Sequence, residues 1–258
     1  MNFTEHAQIN TALYKFAEGY LEKRGWFESL GGIPRNKSGV VPWITYPAFV
    51  QLERIARADM RVFEYGCGGS SLWWASRVAE VISVEHNAQW AAQVTQIAFQ
   101  NLKVVVREMN AEYSVETRNA IEPFFADAPE LPVSGDQAHD ITHGMINEAF
   151  IAYAAEIMNY EKQSFDVVVV DGMARALTAW LAAQYVKPDG IIVFDNSDRW
   201  QYNAAYQFLH EAGFAQIDFY GPGPVNAVET CTSIFTRDLR IFTANIARPR
   251  GNFADIGW

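Results

Sequence analysis

The sequence predicts an α/β protein, in which a mostly parallel sheet of seven strands, the last one antiparallel, has helices on both faces. Three observations carry this prediction. In residues 61–71 (RVFEYGCGGSS) a short apolar run breaks into a glycine-rich turn and then into a helical pattern. In residues 165–171 (FDVVVVD) the apolar run is continuous, which is typical of a parallel strand buried on both faces. Between and after these stretches, strand patterns alternate with helical patterns.

The other elements follow in order along the chain. Apolar residues at helical spacing predict an N-terminal helix over about 4–24, and a proline in the first turn favours a helix over 47–57. Short apolar runs bounded by turn residues predict strands at 81–85, 102–107, 191–196, 215–220 and 232–236. Helical patterns lie at 71–78, 88–99, 145–157, 177–185 and 200–212. The proline-rich stretch 114–143 is expected to be a long irregular excursion, which is the kind of loop that often acts as a lid, and a lid role stays open.

The length of 258 residues suits one large domain with a sizeable core. We expect a single domain over 1–258. Within it, residues 1–60 form a helical extension, residues 61–236 form the ligand-binding core, and residues 114–160 are an insertion.

Composition and charge exclude several classes of partner. The net charge is −10 and no basic run is present, so a surface that tracks nucleic acid is not expected. No apolar segment resembles a signal peptide or a membrane span. Two cysteines are too few for a disulfide framework and favour a reducing compartment, so we expect a cytoplasmic protein. A small molecule is the expected partner, and assembly into a homo-oligomer stays open.

The glycine-rich turn predicts a site for a nucleotide-like ligand. Gly66, Gly68 and Gly69 supply backbone that can turn sharply and approach a ligand closely. A dinucleotide-binding G-x-G-x-x-G loop would have a third glycine where Ser71 stands, which weakens that interpretation. Glu64, two residues before the first glycine, is an acid that would attract a cationic ligand and repel a pyrophosphate.

A second acid ends the next predicted strand. At this place in a βαβ unit, the carboxylate of Glu85 can accept hydrogen bonds from both hydroxyls of a ribose. The alternative is an acid that ends a strand at the surface and binds nothing. The end of the following strand, near Asn110, is where an adenine would lie in this topology.

These segments resemble the class I S-adenosylmethionine (AdoMet)-dependent methyltransferases, which have a Rossmann-like fold. VFEYGCGGSS, the strand-end Glu85, FDVVVVDG and KPDGIIVFDN carry the resemblance, which covers about residues 61–236. It implies transfer of a methyl group from AdoMet, as O-methylation of a small molecule or sugar. The residues that it implies for AdoMet binding are Glu64, Gly66, Gly68, Ser70, Ser71, Glu85 and Asn110.

The later motifs are similar to those of cation-dependent O-methyltransferases of the catechol and caffeoyl-CoA type. In that group, residues matching Asp171, Asp195 and Asn196 hold a divalent metal, usually Mg²⁺, which binds the acceptor oxygens. Those enzymes carry a lysine base shortly after the first aspartate. Here Arg175 is the only basic residue in that stretch, and arginine does not serve as a base.

The catalytic candidates are Asp171, Asp195 and Arg175. The two aspartates end neighbouring predicted strands and should flank the space outside the carboxyl ends of the sheet, where ligands bind in open α/β folds. Either aspartate is a candidate base or metal ligand, or else both only cap the helices that follow. Arg175 and Arg199 are suited to an acidic acceptor, with surface ion pairs as the alternative.

Three segments are expected to wall an acceptor pocket: 42–47 (PWITYP), 114–143 and 221–230. Trp43 and Tyr46 of the first segment either plug the core or cover a ligand. Two other functions stay open. An NAD-dependent oxidoreductase would be expected to keep the third glycine, and an AdoMet-fold module without activity would lose the polar strand ends.

Overall fold

The structure is a computed structural model that describes residues 3–97, 99–127, 148–226 and 228–243. A small hairpin of β1 (Arg35–Asn36) and β2 (Gly39–Val40) precedes one large sheet. The strands of that sheet are β3 (Arg61–Tyr65), β4 (Glu80–Glu85), β5 (Leu102–Val106), β6 (Phe165–Val170), β7 (Val186–Asp195), β8 (Ala215–Gly221) and β9 (Thr230–Thr236).

The large sheet has the strand order β5-β4-β3-β6-β7-β9-β8. Strand β9 runs antiparallel to both β7 and β8, and the other neighbours in the sheet are parallel. The predicted seven-stranded, mostly parallel, Rossmann-like sheet is therefore confirmed. The chain moves outward from β3 to β5 and then returns to the other side of β3 with β6. The carboxyl ends of β3 and β6 thus form the switch point at which open α/β sheets bind ligands.

Eight α-helices are described. They are α1 (Phe3–Phe16), α2 (Tyr46–Ile55), α3 (Gly69–Ala75), α4 (Ala88–Thr95), α5 (Val115–Asp127), α6 (Ile151–Ala154), α7 (Arg175–Tyr185) and α8 (Asn203–Glu211). A π-helical segment, Ala17–Glu22, continues α1, and the two together cover most of the predicted first helix. In the described part of the chain, no helix combines the length and apolar content that a membrane crossing requires.

The central strands send alternate residues into two cores. Phe63 and Tyr65 of β3 face the core that contains most of the buried residues of α7, whereas Val62 faces the core that contains those of α2 and α3. Every residue of β6 is buried. Coverage of both faces explains the unbroken apolar run of β6, because neither face of that strand meets water.

One strand is longer than the sequence predicted. Strand β7 begins at Val186 and includes the predicted turn at 187–190, because its pairing with β6 shifts register between Phe165 and Val167. Gly190 permits this irregularity, since a Cβ there would lie 2.7 Å from the carbonyl oxygen of Asp166. The irregularity lies at the amino end of the sheet and leaves the strand end at Asp195 as predicted.

The predicted excursion 114–143 starts instead with a regular helix, α5, which contains Pro123. Burial of Ile121 and Phe124 in the core favours this helix over the break that the proline pattern indicated. The rest of the expected excursion, residues 128–143, lies outside the described residues. The helix predicted at 145–157 is described only from residue 148, as a 3₁₀ turn (Glu148–Phe150), then α6, then a second 3₁₀ turn (Ala155–Asn159).

Candidate functional site

The loop after β3 packs closely against the loop after β6. Gly66 has a left-handed φ of 91°, and its amide donates to the carbonyl oxygen of Val84 at 2.8 Å. A Cβ on Gly66 would lie 3.2 Å from the carbonyl oxygen of Asp171. A Cβ on Gly172 would lie 1.9 Å from Tyr153 Oη and 3.1 Å from the Gly66 nitrogen. The two glycines therefore let the strand ends meet, and they place Asp171 beside the glycine-rich turn.

A cavity of about 370 Å³, which we call the loop cavity, opens beside this turn. Residues 66–70 line it, and they include Gly66, Gly68 and Ser70, three of the residues predicted for AdoMet binding. Glu85 and Asp171 line it from the ends of β4 and β6, the two strands on either side of β3. Its volume falls in the range of small-molecule sites, which begins at roughly 300 Å³.

Glu64 and Ser71 lie beneath the turn and do not line the loop cavity. The carboxylate of Glu64 is 1% exposed and accepts hydrogen bonds from the hydroxyls of Ser71 and, at 3.0 Å, of Ser83. Its other oxygen, Oε1, has no hydrogen-bond partner among the described residues. Burial raises the pKa of Glu64 to about 7, although the hydroxyls of nearby serines act to lower it. Glu64 therefore supports the turn from below.

Glu85 is buried at the end of β4 and holds the backbone around the loop cavity. Its Oε1 accepts the amides of His86 and Asn87 at 2.9 and 2.8 Å, and its Oε2 accepts the amide of Cys67 at 3.1 Å. Burial acts to raise the pKa of Glu85, but the hydrogen bonds from His86, Asn87 and Cys67 outweigh it and lower the pKa. With one described donor on Oε2, that oxygen can accept one more hydrogen bond.

Trp90 and His86 complete the wall of the loop cavity, and sequence reasoning did not assign Trp90 to it. The indole Nε1 of Trp90 donates to the carbonyl oxygen of Cys67 at 2.6 Å, and 41% of the residue is exposed. The amide of Trp90 donates to Asn87 Oδ1 at 3.0 Å, which caps α4. The helix start at Asn87 is the signal in the sequence that could have placed residue 90 one helical turn from the ligand-binding edge of the sheet.

Asn110, predicted near the adenine, lines a different cavity. This outer groove, of about 1060 Å³, lies between the end of β5, α5 and the 3₁₀ turn after α6. Asn110 has a left-handed φ of 61°, and its amide donates to the carbonyl oxygen of Ala149 at 2.7 Å. The ion pair of Arg107 and Glu156, at 2.7 Å, also borders this groove. Neither Asn110 nor these two residues line the loop cavity.

A guanidinium lies among the polar residues that end β6 and β7. Arg175 is 5% exposed, and its Nη2 donates to Asp171 Oδ1 at 2.9 Å. Its Nη1 donates to Asn196 Oδ1 at 3.3 Å and to the carbonyl oxygen of Asp195. Its Nε donates to the carbonyl oxygen of Gly172 at 3.1 Å. The sequence therefore brings Asp171, Asp195 and Asn196 together as predicted, but around an arginine.

The two aspartates differ in how much of their carboxylate is engaged. Asp195 Oδ1 accepts from Thr232 Oγ1 at 2.6 Å and its Oδ2 accepts from Asn196 Nδ2 at 2.9 Å, and the residue is 5% exposed. The side chain of Asp171 is 29% exposed, and the hydrogen bond described for it is the one from Arg175 to Oδ1. Asp171 Oδ2 is therefore the carboxylate oxygen of this pair that can act on a ligand.

The pKa values of both aspartates are raised. For Asp171 burial is the larger cause and the charge of Asp195 the second, while Arg175 acts in the opposite direction. For Asp195 burial is again the main cause, against Arg175 and the hydrogen bond from Thr232. The two carboxylates therefore titrate as a pair above the usual range of an aspartate.

A second cavity, which we call the Asp195 cavity, adjoins the loop cavity and has a volume of about 310 Å³. Trp43 and Ile44 line it from the predicted 42–47 wall, and Asn226 and Thr230 line it from the predicted 221–230 wall. Of the described residues, Trp43 and Asp171 line both cavities. Ligands in the two cavities would therefore meet at the carboxylate of Asp171.

The segment that carries Trp43 is anchored to the last two strands. The Thr45 hydroxyl donates to the carbonyl oxygen of Phe219 at 2.8 Å, and the Thr45 amide donates to Thr232 Oγ1 at 3.1 Å. That hydroxyl of Thr232 in turn donates to Asp195. Tyr46 is buried in the core and does not line either cavity. The two aromatic residues, which the sequence left as either core or ligand-covering residues, therefore differ. Tyr46 fills the core, and Trp43 faces the cavities.

The divalent cation implied by the resemblance does not fit the observed donor set. Arg175 donates to Asp171 Oδ1 and to Asn196 Oδ1, so a cation held between these two residues would meet a fixed positive charge at close range, even at the open Oδ2 of Asp171. Both carboxylate oxygens of Asp195 accept hydrogen bonds from other side chains. Within the described ranges, no group of three or more His, Cys, Asp or Glu side chains is suited to a metal.

Comparison with known proteins gives similar folds at low identity. No protein-family model matches the chain, and no curated protein matches it. A TehB-like SAM-dependent methyltransferase from Corynebacterium glutamicum is 13% identical with a TM-score of 0.42, over 73% of this chain and 86% of that one. A SAM-dependent O-methyltransferase from Thermotoga maritima is 13% identical with a TM-score of 0.44, over 80% and 77%. A spermidine synthase from Thermotoga maritima is 10% identical with a TM-score of 0.45, over 73% and 56%. These likenesses assign no activity to the chain, and its fold is established by the strand order above.

Proposed function

We propose that the protein transfers a methyl group from AdoMet to a hydroxyl oxygen of a small molecule. The observation that carries this proposal is the junction of two cavities at Asp171, with a glycine-rich turn on one side and a partly exposed carboxylate oxygen between them. In methyl transfer the donor and the acceptor must be aligned and water excluded, which two adjoining cavities favour.

The residues of the loop cavity fit AdoMet. The backbone of 66–70 offers a close approach without Cβ atoms at positions 66, 68 and 69, and Glu85 Oε2 has room for a hydrogen bond from a ribose hydroxyl. The indole of Trp90 supplies an aromatic wall. When bound, AdoMet supplies a methyl group that is activated by attachment to a sulfonium sulfur.

Asp171 is assigned as the general base. The acceptor hydroxyl gives its proton to Asp171 Oδ2, and its oxygen uses its own electron pair to form the new bond to the methyl carbon. The electron pair of the broken carbon–sulfur bond stays on sulfur, so the products are a methyl ether, a thioether and a protonated Asp171. The raised pKa of Asp171 suits this role, because a base accepts a proton most effectively when its pKa lies close to the working pH.

Arg175 is assigned as the residue that positions this base. Its hydrogen bond fixes Asp171 Oδ1 and leaves Oδ2 without a described hydrogen-bond partner, and its charge offsets those of Asp171 and Asp195. Asp195 is assigned to holding Arg175 and Thr232 and not to proton transfer, because both of its carboxylate oxygens are engaged.

Calorimetric titration with AdoMet, S-adenosylhomocysteine and NAD tests the proposal. We expect the first two to bind and NAD not to bind. Binding of NAD alone would favour the oxidoreductase. Binding of AdoMet with no methyl transfer to any of a broad set of hydroxylated acceptors would favour the module without activity.

Replacing Glu85 by Ala should weaken AdoMet binding by about 1.5–3 kcal/mol, because charge-assisted hydrogen bonds to the ribose are lost. The measurement is calorimetry. Glu80→Ala, at the opposite end of β4, is the matched control and should leave the affinity unchanged. Glu85 also holds three backbone amides. The unfolding midpoint of each variant is therefore measured first, and unchanged affinity in a folded Glu85→Ala protein would remove the ribose assignment.

Removal of divalent metal should leave methyl transfer intact. The positive charge of Arg175 occupies the position among Asp171, Asp195 and Asn196 that the related enzymes give to a cation. The measurement is turnover with an identified acceptor in EDTA, followed by addition of Mg²⁺ or Mn²⁺. Loss of activity in EDTA and its recovery with either metal would restore the cation to the mechanism.

A further inference from the structure

The Asp195 cavity has an exposed cation on its wall that the proposed proton transfer does not use. Arg199 lines this cavity, and its side chain is exposed. Among the described residues Arg199 takes part in no ion pair, although the chain has 30 acidic residues against 20 basic ones. A guanidinium that faces a cavity without a carboxylate partner is well suited to bind a carboxylate or phosphate.

The acids near Arg199 accept hydrogen bonds from groups other than Arg199. Its chain neighbour Asp198 accepts the backbone amide of Cys231 at 3.1 Å, which turns that carboxylate towards β9. Asp171 and Asp195 accept the hydrogen bonds described above. The charge of Arg199 nevertheless acts to lower the pKa of both of these aspartates, so it lies close to the space that they border.

The backbone at Arg199 is fixed by hydrogen bonds, whereas its exposed side chain makes no hydrogen bond or ion pair with the other described residues. Its amide donates to the carbonyl oxygen of Asn196 at 3.2 Å, and its carbonyl oxygen accepts the amide of Tyr202 at 3.1 Å. Asn196 takes a left-handed φ of 53° in this turn, which directly follows β7. The turn therefore holds the Cα of Arg199 at the same sheet edge as the proposed base.

The rest of the Asp195 cavity is suited to a ring. The indole of Trp43, 45% exposed, forms the wall shared with the loop cavity and offers a flat apolar face. Asn226 and Thr230 add uncharged polar side chains. A volume of about 310 Å³ lies at the lower end for small-molecule sites, which favours a compound with a single ring.

On the basis of the proposed function, we propose that the acceptor is a small hydroxylated ring compound that carries a carboxylate or a phosphate. Arg199 binds the anionic group, Trp43 contacts the ring, and the hydroxyl to be methylated faces Asp171. The net charge of −10 repels anions from the molecule as a whole, so the local charge of Arg199 is what makes an anionic acceptor acceptable at this position.

The test is a set of matched probes that share one hydroxylated ring: 4-hydroxybenzoate, 4-hydroxyphenyl phosphate and the neutral 4-hydroxybenzyl alcohol. Binding to the full-length protein is measured by saturation-transfer NMR and calorimetry, with and without S-adenosylhomocysteine. We expect at least one anionic probe to bind about tenfold or more tightly than the neutral one. Comparison of the carboxylate with the phosphate identifies which anion the site prefers.

Arg199→Ala should weaken the affinity for the preferred anionic probe about 10- to 100-fold and leave the affinity for the neutral probe unchanged. Arg199→Lys should recover part of the lost affinity. Arg57→Ala, an exposed arginine before the amino end of β3, is the control and should change nothing. Three results would overturn the anionic acceptor. The first is equal affinity for the anionic and neutral probes, and the second is an equal loss of affinity for both kinds of probe in Arg199→Ala. The third is no binding of any probe. Calorimetry with AdoMet is independent of Arg199, so failure of AdoMet binding would instead overturn the proposed methyl transfer.

Discussion

Asp171→Asn should reduce the rate of methyl transfer about 10²- to 10⁴-fold, which is the usual contribution of a general base. An asparagine amide keeps the size of the side chain but cannot accept the hydroxyl proton at this position. The affinity for AdoMet should change little, since Asp171 lines the loop cavity only at its junction with the Asp195 cavity. Single-turnover rates with an identified acceptor, together with calorimetry, separate the two effects.

The pH dependence of wild-type turnover provides an independent check on Asp171. Only the ionised carboxylate accepts a proton, so the rate should rise as pH rises through the apparent pKa. Burial and the nearby Asp195 raise the pKa of Asp171, so this rise should lie well above pH 4, where an ordinary aspartate titrates. Asp189→Asn, exposed near the amino end of β7, is the control. A rate in Asp171→Asn within about threefold of wild type would remove Asp171 from proton transfer.

Arg175→Met should destabilise the fold by about 3–5 kcal/mol at a pH at which both aspartates are ionised, which is the usual cost of leaving a buried charge without its partner. The variant removes the group that joins Asp171, Asp195 and Asn196. Urea unfolding measures the effect. Arg57→Ala, whose ion pair with Asp59 is exposed, is the control and should fall within about 0.5 kcal/mol of wild type.

The deficit of Arg175→Met should depend on pH in a defined direction. Loss of the guanidinium raises the pKa of the two aspartates further in the folded state, while their unfolded pKa stays near 4. The deficit should therefore be small at pH 4 and should grow as pH rises through the folded pKa values. Adding Asp171→Asn should recover part of the lost stability, because one of the uncompensated carboxylates is removed. A deficit independent of pH and unaffected by the second change would show that Arg175 acts by packing alone.

The sheet edge was predictable because it depends on local patterns. The glycine-rich turn, the strand-end Glu85 and the apolar run before Asp171 each define where a parallel strand ends. In a parallel sheet such ends share one edge, so their meeting follows from the topology. The direction of each side chain was less accessible: the carboxylate of Glu64 turns beneath the loop to two serine hydroxyls, and one of these lies on the neighbouring strand.

Contacts between distant segments could not be predicted. The position of Arg175 four residues after Asp171 was visible in the sequence, but its contacts with residues 195 and 196 depend on how β7 sits beside β6. Asn110 follows a strand end as expected. A left-handed turn and a hydrogen bond to Ala149 nevertheless place it in the outer groove, and no local pattern signals that partner.

The anchoring of residues 43–46 affects how the choice of acceptor can change by mutation. The backbone there is held by Thr45 and by the Tyr46 amide, which donates to the carbonyl oxygen of Pro222 at 2.9 Å, and these contacts do not involve the indole of Trp43. Substitution at position 43 can therefore reshape the cavity while the scaffold remains in place. Thr232 lacks this freedom, because its hydroxyl serves both Thr45 and Asp195. Tolerance to substitution should therefore be high at Trp43 in the cavity wall and low at Thr232, which supports that wall. Position 43 is thus the natural starting point for directed evolution towards new acceptors.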